Sequence, residues 1–239
     1  MLFWLLFGVG MHRSFRLGGE ELADQSFLAY YFPGTLVLIL LFTAIFATIS
    51  IIEDRREGFL QSVLVAPIPR WSMVLGKVLG GSLIALTQGL LFLLLAWTLS
   101  IELGWSALAG LVTFLFGSAV ALTSLGFVLA WRMESTQGFH AIMNLVLMPL
   151  WLLSGAFFPV PPPQTGAAWS QLVLHGIMRI NPVTYCVAGV RRLLYDESVL
   201  TAIWVPGLDT CWIVTTMFAV CMFATACRIA RRTSAGDLL

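Results

Sequence analysis

The sequence predicts an all-α, polytopic membrane protein, and three observations predict it. Of 239 residues, 59% are hydrophobic and only 10% are charged, against about 25% charged in an ordinary soluble domain. Mean hydropathy is +0.92, more than a water-facing surface tolerates. Finally, five apolar runs, roughly 29–52, 73–101, 107–131, 139–158 and 209–228, each approach or exceed the 20 or so residues that cross about 30 Å of hydrocarbon at 1.5 Å per residue. Barrel strands are excluded as the spanning unit, because these runs are continuously apolar rather than alternating.

The elements follow in chain order. Met1-Leu-Phe-Trp-Leu-Leu-Phe-Gly-Val-Gly-Met11 is too short to span as a helix. It lacks the basic leader and small-residue cleavage site of a signal peptide. We read 1–11 as the outer end of a first span whose beginning is missing; a short interfacial or re-entrant piece is the alternative. The second span, 29–52, has no charge, and the third carries Lys77 near one end, where its stem reaches the interface by snorkelling. Gly76 and Gly80 in that span form a G-x-x-x-G of the kind that lets helices approach. The count is thus five full spans and a partial sixth, in one transmembrane domain covering 1–239.

Sidedness follows from the loops. One set, 53–72, 132–138 and the tail from 229, carries with its boundary residues Arg55, Arg56, Arg70, Lys77, Arg132, Arg228, Arg231 and Arg232. The other, 12–28, 102–106 and 159–208, carries Arg13, Arg16, Arg179, Arg191 and Arg192. The bias of eight to five puts 53–72 and the C-terminus in the cytoplasm.

Two connections hold most of the remaining information. In Glu53–Arg70 a charged lead-in precedes Phe59, Leu60, Val63 and Leu64, which share one helical face. Pro67 and Pro69 stop that helix. A surface connector with a greasy underside and a docking element for a cytoplasmic partner are both open. On the outer side, Leu-Ser-Gly-Ala-Phe-Phe-Pro159 ends a span, and Pro161, Pro162 and Pro163 favour an extended chain. Ser170–Ile180 and Val183–Tyr195, joined by Asn181-Pro182, are too short and too polar to cross. They fit helices that lie in the interface or dip in and return, with Arg191, Arg192 and Tyr195 anchoring at headgroup level.

Chemistry of the chain's own is not visible. The phosphate-loop pattern is absent, since Gly76-Lys77 is followed by Val78 and Trp71 stands where the first glycine belongs. His12, His140 and His175 are far apart, and no H-E-x-x-H occurs. His140 is open as a proton-relay group or as a hydrogen-bonded helix-end residue. Ser154-Gly155 lacks the flanking glycine of a nucleophile elbow. Cys186, Cys211, Cys221 and Cys227 form no C-x-x-C pair and read as small apolar side chains, with a Cys186–Cys211 bond open. A net charge of +1 gives no reason to expect nucleic acid as a partner.

The order and sidedness of these pieces resembles the ABC-2 family of ABC transporter permeases, the group of the nodulation-factor and daunorubicin-type exporters. The likeness rests on Glu57-Gly58, Leu60 and Val-Ala-Pro67 before the third span, and Leu-Gly-Lys77 as it begins. Leu-Ser-Gly-Ala-Phe-Phe-Pro159 and Asn-Pro-Val-Thr-Tyr185 with Arg191 complete it. The resemblance implies a coupling helix at 56–66, contacting a separate ATPase subunit through Arg56, Glu57, Gly58, Phe59, Leu60 and Pro67. It implies an outer re-entrant hairpin over 159–208, with Ser154, Gly155, Phe158, Pro159, Asn181, Pro182, Tyr185 and Arg191 as the outer-gate residues. It also implies pairing with a second permease copy, membrane lipid around the bundle, and ATP and Mg on the ATPase, with no cofactor or metal held here. Location in a prokaryotic inner membrane goes with it. Family members usually begin with an amphipathic surface helix and a complete first span, neither of which is fully present before Met11. An ion-coupled transporter would place charges inside the spans, and a lipid-modifying membrane enzyme would cluster polar groups at one face. Neither feature is in the sequence. Charge-free interiors suit a bulky amphipathic, lipid-linked or drug-like substrate.

Overall fold

A computed structural model describes residues 27–99, 104–158, 169–195 and 204–232. The partial first span at 1–11, Pro159, the prolines at 161–163 and the tail beyond 232 lie outside these residues. Among the described residues the regular structure is helical and no strand occurs.

The helices are α1 (Phe27–Phe46), α2 (Ile49–Arg56), α3 (Phe59–Val65), α4 (Arg70–Leu93), α5 (Trp105–Ala130), α6 (Thr136–Leu152), α7 (Trp169–Ile180), α8 (Pro182–Leu194) and α9 (Leu208–Arg232). A 3-10 segment, Leu94–Leu99, extends α4. Four units are long and apolar enough to cross a membrane: Ala29–Arg56, Arg70–Trp97, Trp105–Ala130 and Leu208–Arg231. The run expected at 139–158 is represented by α6, whose 17 residues stand at the lower limit of the spanning range, about 17–25. It stops at Leu152 because the chain turns there, with Gly155 at φ +76°, a left-handed conformation that glycine adopts without a Cβ clash.

Helix α5 is the hub. It packs on α1, α4, α8 and α9, and Ser118, Ala119, Ala121, Thr123, Ser124 and Gly126 are among its buried residues. Small side chains of this kind let backbones approach closely, which matters in lipid because no hydrophobic force drives helix against helix there. Gly126 lies against Ile45 and Thr48, where a Cβ would come within 3.1 Å of the Ile45 Cα. In α4 the close approaches are at Gly81, facing Thr123 and Ala47, and Gly89, facing Leu40. Gly76 and Gly80 have no neighbour within 4 Å of a Cβ, so the expected G-x-x-x-G does not pack on another described helix of this chain. The helix buries the stripe beginning at Val74, Val78, Gly81 and Ala85 instead.

The loops expected to share one side do meet. Arg55 in α2 donates to the carbonyls of Trp131 and Met133, beyond α5, and Arg70 donates to those of Ala230 and Arg231 near the end of α9. Lys77 pairs with Asp54 at 2.5 Å. The opposite end holds Trp97 and Trp105, 89% and 88% exposed, the side-chain type that is enriched at membrane–water boundaries.

The first connection differs in detail from its expectation. The charged lead-in is helical, since α2 runs to Arg56, and the separate short helix begins at Phe59 rather than Arg56. Between them Gly58 takes φ +76° with nothing near a Cβ, so the turn depends on backbone freedom alone. A Gly58→Ala chain therefore strains the turn by about 1–2 kcal/mol. Tryptic cleavage after Arg56 in membranes is expected to quicken about tenfold, because cleavage follows the open population. The shared face is also divided: Leu60 is buried at 3% exposure while Phe59 is 57% exposed.

Candidate functional site

Two places in the bundle gather the residues singled out in the sequence. The first is the end of α6 and the helices that cover it. In hydrocarbon every backbone carbonyl needs a partner from the protein, because water does not supply one. Helix α6 leaves its last carbonyls unpaired by geometry, and Pro149 inside it withdraws one further N–H. Side chains gathered around that end meet this need. Asn181 Nδ2 donates to the Leu150 carbonyl at 2.6 Å, and Asn181 Oδ1 accepts from the Val183 N–H, capping α8. The Ser154 hydroxyl donates to Trp151 O, and Thr184 donates to Met178 O at 2.7 Å. Tyr185 donates to Arg179 O, near the end of α7.

The Gly155 carbonyl takes two donors from distant helices, the Tyr30 hydroxyl at 2.8 Å and Arg191 Nη2 at 3.2 Å. Arg191 is buried, at 5% exposure, with its guanidinium 4.5 Å from the Tyr30 ring centre and a long contact of 3.4 Å to Tyr30 O. It is not a headgroup anchor, because α8 packs inward against α1 and α5. Arg192 likewise turns to the carbonyls of Val205 and Pro206.

Helix α1 meets the same turn. Pro33 has no N–H to give the Ala29 carbonyl four residues back, and the Tyr195 hydroxyl donates to that carbonyl at 2.7 Å. Burial pushes the Tyr195 phenol above its ordinary value, against the lowering effect of the nearby Arg191 charge. The hydroxyl therefore stays a donor at neutral pH. One residue on, Gly34 lies on Ala156, and its carbonyl accepts from Trp151 Nε1 at 2.8 Å.

The structure thus joins Ser154, Gly155, Asn181, Pro182 and Arg191 around one helix end. Phe158 is more than half exposed beside this turn, stacked edge-on against Phe157, and Pro159 lies outside the described residues. Sequence reasoning missed Tyr30, Pro33, Gly34 and Trp151. A proline and glycine inside an apolar span were the available signal, since each removes a helix bond or opens a close approach.

The second place is α3 and its flanks. Arg56, Glu57 and Pro67 are exposed. Phe59, Val65 and Ile68 are 57%, 76% and 48% exposed, whereas Leu60 is buried in the core.

Beside the first place, α1, α4 and α6 border a half-open pocket of about 650 Å³ lined by Leu38, Phe42, Trp151 and Phe157 among others. None of its lining residues is charged, and on its wall the Thr43 hydroxyl donates to Gln88 Oε1 at 2.6 Å. His140 packs its ring 5.4 Å from Phe46. The cysteines are free; Cys186 and Cys211 are both buried in the packed interior. Among the described residues no His, Cys, Asp and Glu cluster is arranged to hold a metal ion.

A bundle of long apolar helices, four of them able to cross a membrane, with its irregular backbone satisfied from within, defines an integral membrane protein. The profile of the ABC-2 type transporter family matches residues 1–195, and the chain belongs to that family. It is 28% identical over 201 residues to a putative transport permease, ycf38, of Cyanophora paradoxa, covering 82% of this chain and 66% of that protein. It is 24% identical over 162 residues to a probable multidrug ABC transporter permease, YbhR, of Escherichia coli (strain K12), covering 67% and 42%. It is 27% identical over 158 residues to the inner membrane transport permease YhhJ of the same strain, covering 65% and 40%. The matched part therefore spans 40% to 66% of the length of these relatives.

Proposed function

We propose that this chain is the membrane-spanning subunit of an ATP-driven exporter, moving a bulky amphipathic, lipid-linked or drug-like substrate out of the cytoplasm. The observation that carries the reading is α3. A short helix beyond the spans presents Phe59, Val65 and Ile68 outward, beside exposed Arg56 and Glu57. Exposed apolar patches rimmed by charge mark partner surfaces. In this reading the segment 56–66 is the coupling helix, seated in a cleft of a separate ATPase chain that binds ATP and Mg. Six spans from each of two copies form the pathway in a prokaryotic inner membrane, with the C-terminus cytoplasmic. The α7–α8 pair is the re-entrant hairpin, and the Ser154–Gly155 turn with Asn181 and Arg191 is the outer gate. The uncharged pocket supports an apolar or amphipathic cargo, in line with the multidrug name of one relative.

A photoreactive residue at position 59, activated in native membranes, tests this. The expected adduct is a soluble polypeptide that itself contains a G-x-x-x-x-G-K-[ST] phosphate loop. Phe59→Asp is expected to lower ATP turnover of the purified complex in lipid vesicles about tenfold, within the range of measured site-to-site couplings. The amount of chain in the membrane should not change. Adducts with lipid alone, or turnover unaffected by Phe59→Asp, would sink the proposal.

A further inference from the structure

The segment 57–69, between α2 and α4, is fastened to the bundle at both edges by an arginine, and each arginine holds the end of a different helix. On the entering side, Arg55 Nη2 donates to Trp131 O at 2.6 Å and Nη1 to Met133 O at 3.2 Å. Its guanidinium also lies 5.5 Å from the Trp131 ring centre, and that ring stacks on Phe127 at 5.3 Å. These carbonyls follow the last turn of α5 and lead into α6. On the leaving side, Arg70 Nη1 donates to Ala230 O at 3.0 Å and Arg231 O at 2.9 Å, in the last turn of α9. Both sets of carbonyls come where a helix runs out of its own N–H donors, at the negative end of its dipole. At Arg55 two nitrogens of one planar guanidinium hold two such oxygens at fixed geometry, which a lysine does not.

We infer that Arg55 and Arg70 are positioning residues that divide a displacement of the 57–69 segment between two routes, Arg55 passing it to the α5–α6 junction and Arg70 passing it to α9. The inference rests on the coupling role proposed for α3. The Arg55 route leads toward the pocket, because α6 continues from Met133 through Ser135, its N-cap, to Met148 and Trp151 on the pocket wall. The Arg70 route reaches a helix whose outer surface carries the exposed Cys221. A lysine–aspartate pair, Lys77 with Asp54, ties α2 to α4 between the two clamps, so their separation is held.

The test uses the assembled complex in membranes, with two thiol reporters labelled by a maleimide. One is Met148→Cys on the pocket wall, in a chain whose Cys221 and Cys227 are replaced by Ser, and the other is the native Cys221 in a chain whose Cys227 is replaced by Ser. The ratio of labelling rates with and without ATP and vanadate is the readout, and the parent is expected to change about fivefold at each reporter. Arg55→Gln should bring the ratio at position 148 to one and leave Cys221 responsive. Arg70→Gln should do the reverse. Arg55→Lys, which keeps the charge but not the fork, should lose at least half of the response at 148 and serves where Arg55→Gln fails to accumulate. The photoreactive residue at position 59 is carried in every chain. If the parent forms no ATPase adduct, the coupling reading has failed. If the adduct persists and either Arg55 variant keeps the full parental ratio at 148, or Arg70→Gln keeps it at Cys221, the division into two routes is wrong.

Discussion

Gly34→Ala is expected to lower the thermal midpoint of the detergent-solubilised protein more than any other single methyl addition in α1. A Cβ at Gly34 would sit 2.7 Å from the Ala156 carbonyl oxygen, 2.8 Å from its Cβ and 2.9 Å from its Cα. Two of those three atoms are backbone, so no rotamer change relieves the contact. The α1 backbone and the Ser154–Ala156 turn must separate. Separation weakens the Trp151 bond to Gly34 O and the Tyr30 bond to Gly155 O, both of which cross the same contact. Overpacking a filled core costs about 1–3 kcal/mol, sometimes more, and the bonds at risk put this site at the upper end. Gly76→Ala and Gly80→Ala are the controls. Each has open space at the Cβ and is expected to be neutral or slightly stabilising, since alanine is the better helix former. Equal midpoints for Gly34→Ala and these controls would show that α1 does not rest on the turn.

Asn181→Ala is expected to be nearly as damaging, through lost polar satisfaction rather than bulk. The side chain does two things at once: its amide donates to Leu150 O, and its carbonyl accepts from Val183 N–H at the start of α8. Losing a helix cap costs about 1 kcal/mol, and leaving a buried carbonyl bare costs about 1–3 kcal/mol. Asn181 is 8% exposed, so water is poorly placed to substitute. The two contributions together make about 3 kcal/mol. Asn181→Ser restores an acceptor for the cap without the long reach to Leu150, and should recover about 1 kcal/mol. Midpoints in dodecyl maltoside check both. A serine variant as stable as the parent would mean that the Leu150 contact contributes nothing.

These two sites show where sequence reasoning stopped. Asn181 and Gly155 stood out as motif residues, but their neighbours in the chain said nothing about the bonds they make, Asn181 to the Leu150 carbonyl and the Gly155 carbonyl to Tyr30 and Arg191. Gly34 did not stand out, because a glycine beside a proline in an apolar run has no visible partner. The short amphipathic helix was legible at 56–66, yet its start at Phe59 was set by a glycine turn and its inward residue by contact with the core. Leu60 and Phe59 are adjacent in sequence and equally apolar, and only the position of the bundle decided which one is buried.

From the amino-acid order alone came the apolar runs, their lengths, the helical spanning unit, the grouping of arginines by loop, and two amphipathic connections. Those are properties of side-chain hydropathy and spacing, which act locally and can be read in a window of twenty residues. Tertiary structure decided which groups satisfy the backbone carbonyls around the end of α6 and the start of α1. Tyr195 serves Ala29 from 166 positions away, Arg191 serves Gly155 from 36 and Tyr30 serves Gly155 from 125. Every residue carries the same backbone carbonyl. Which of them lacks a partner appears only when prolines, turns and helix ends are placed beside the side chains that answer them.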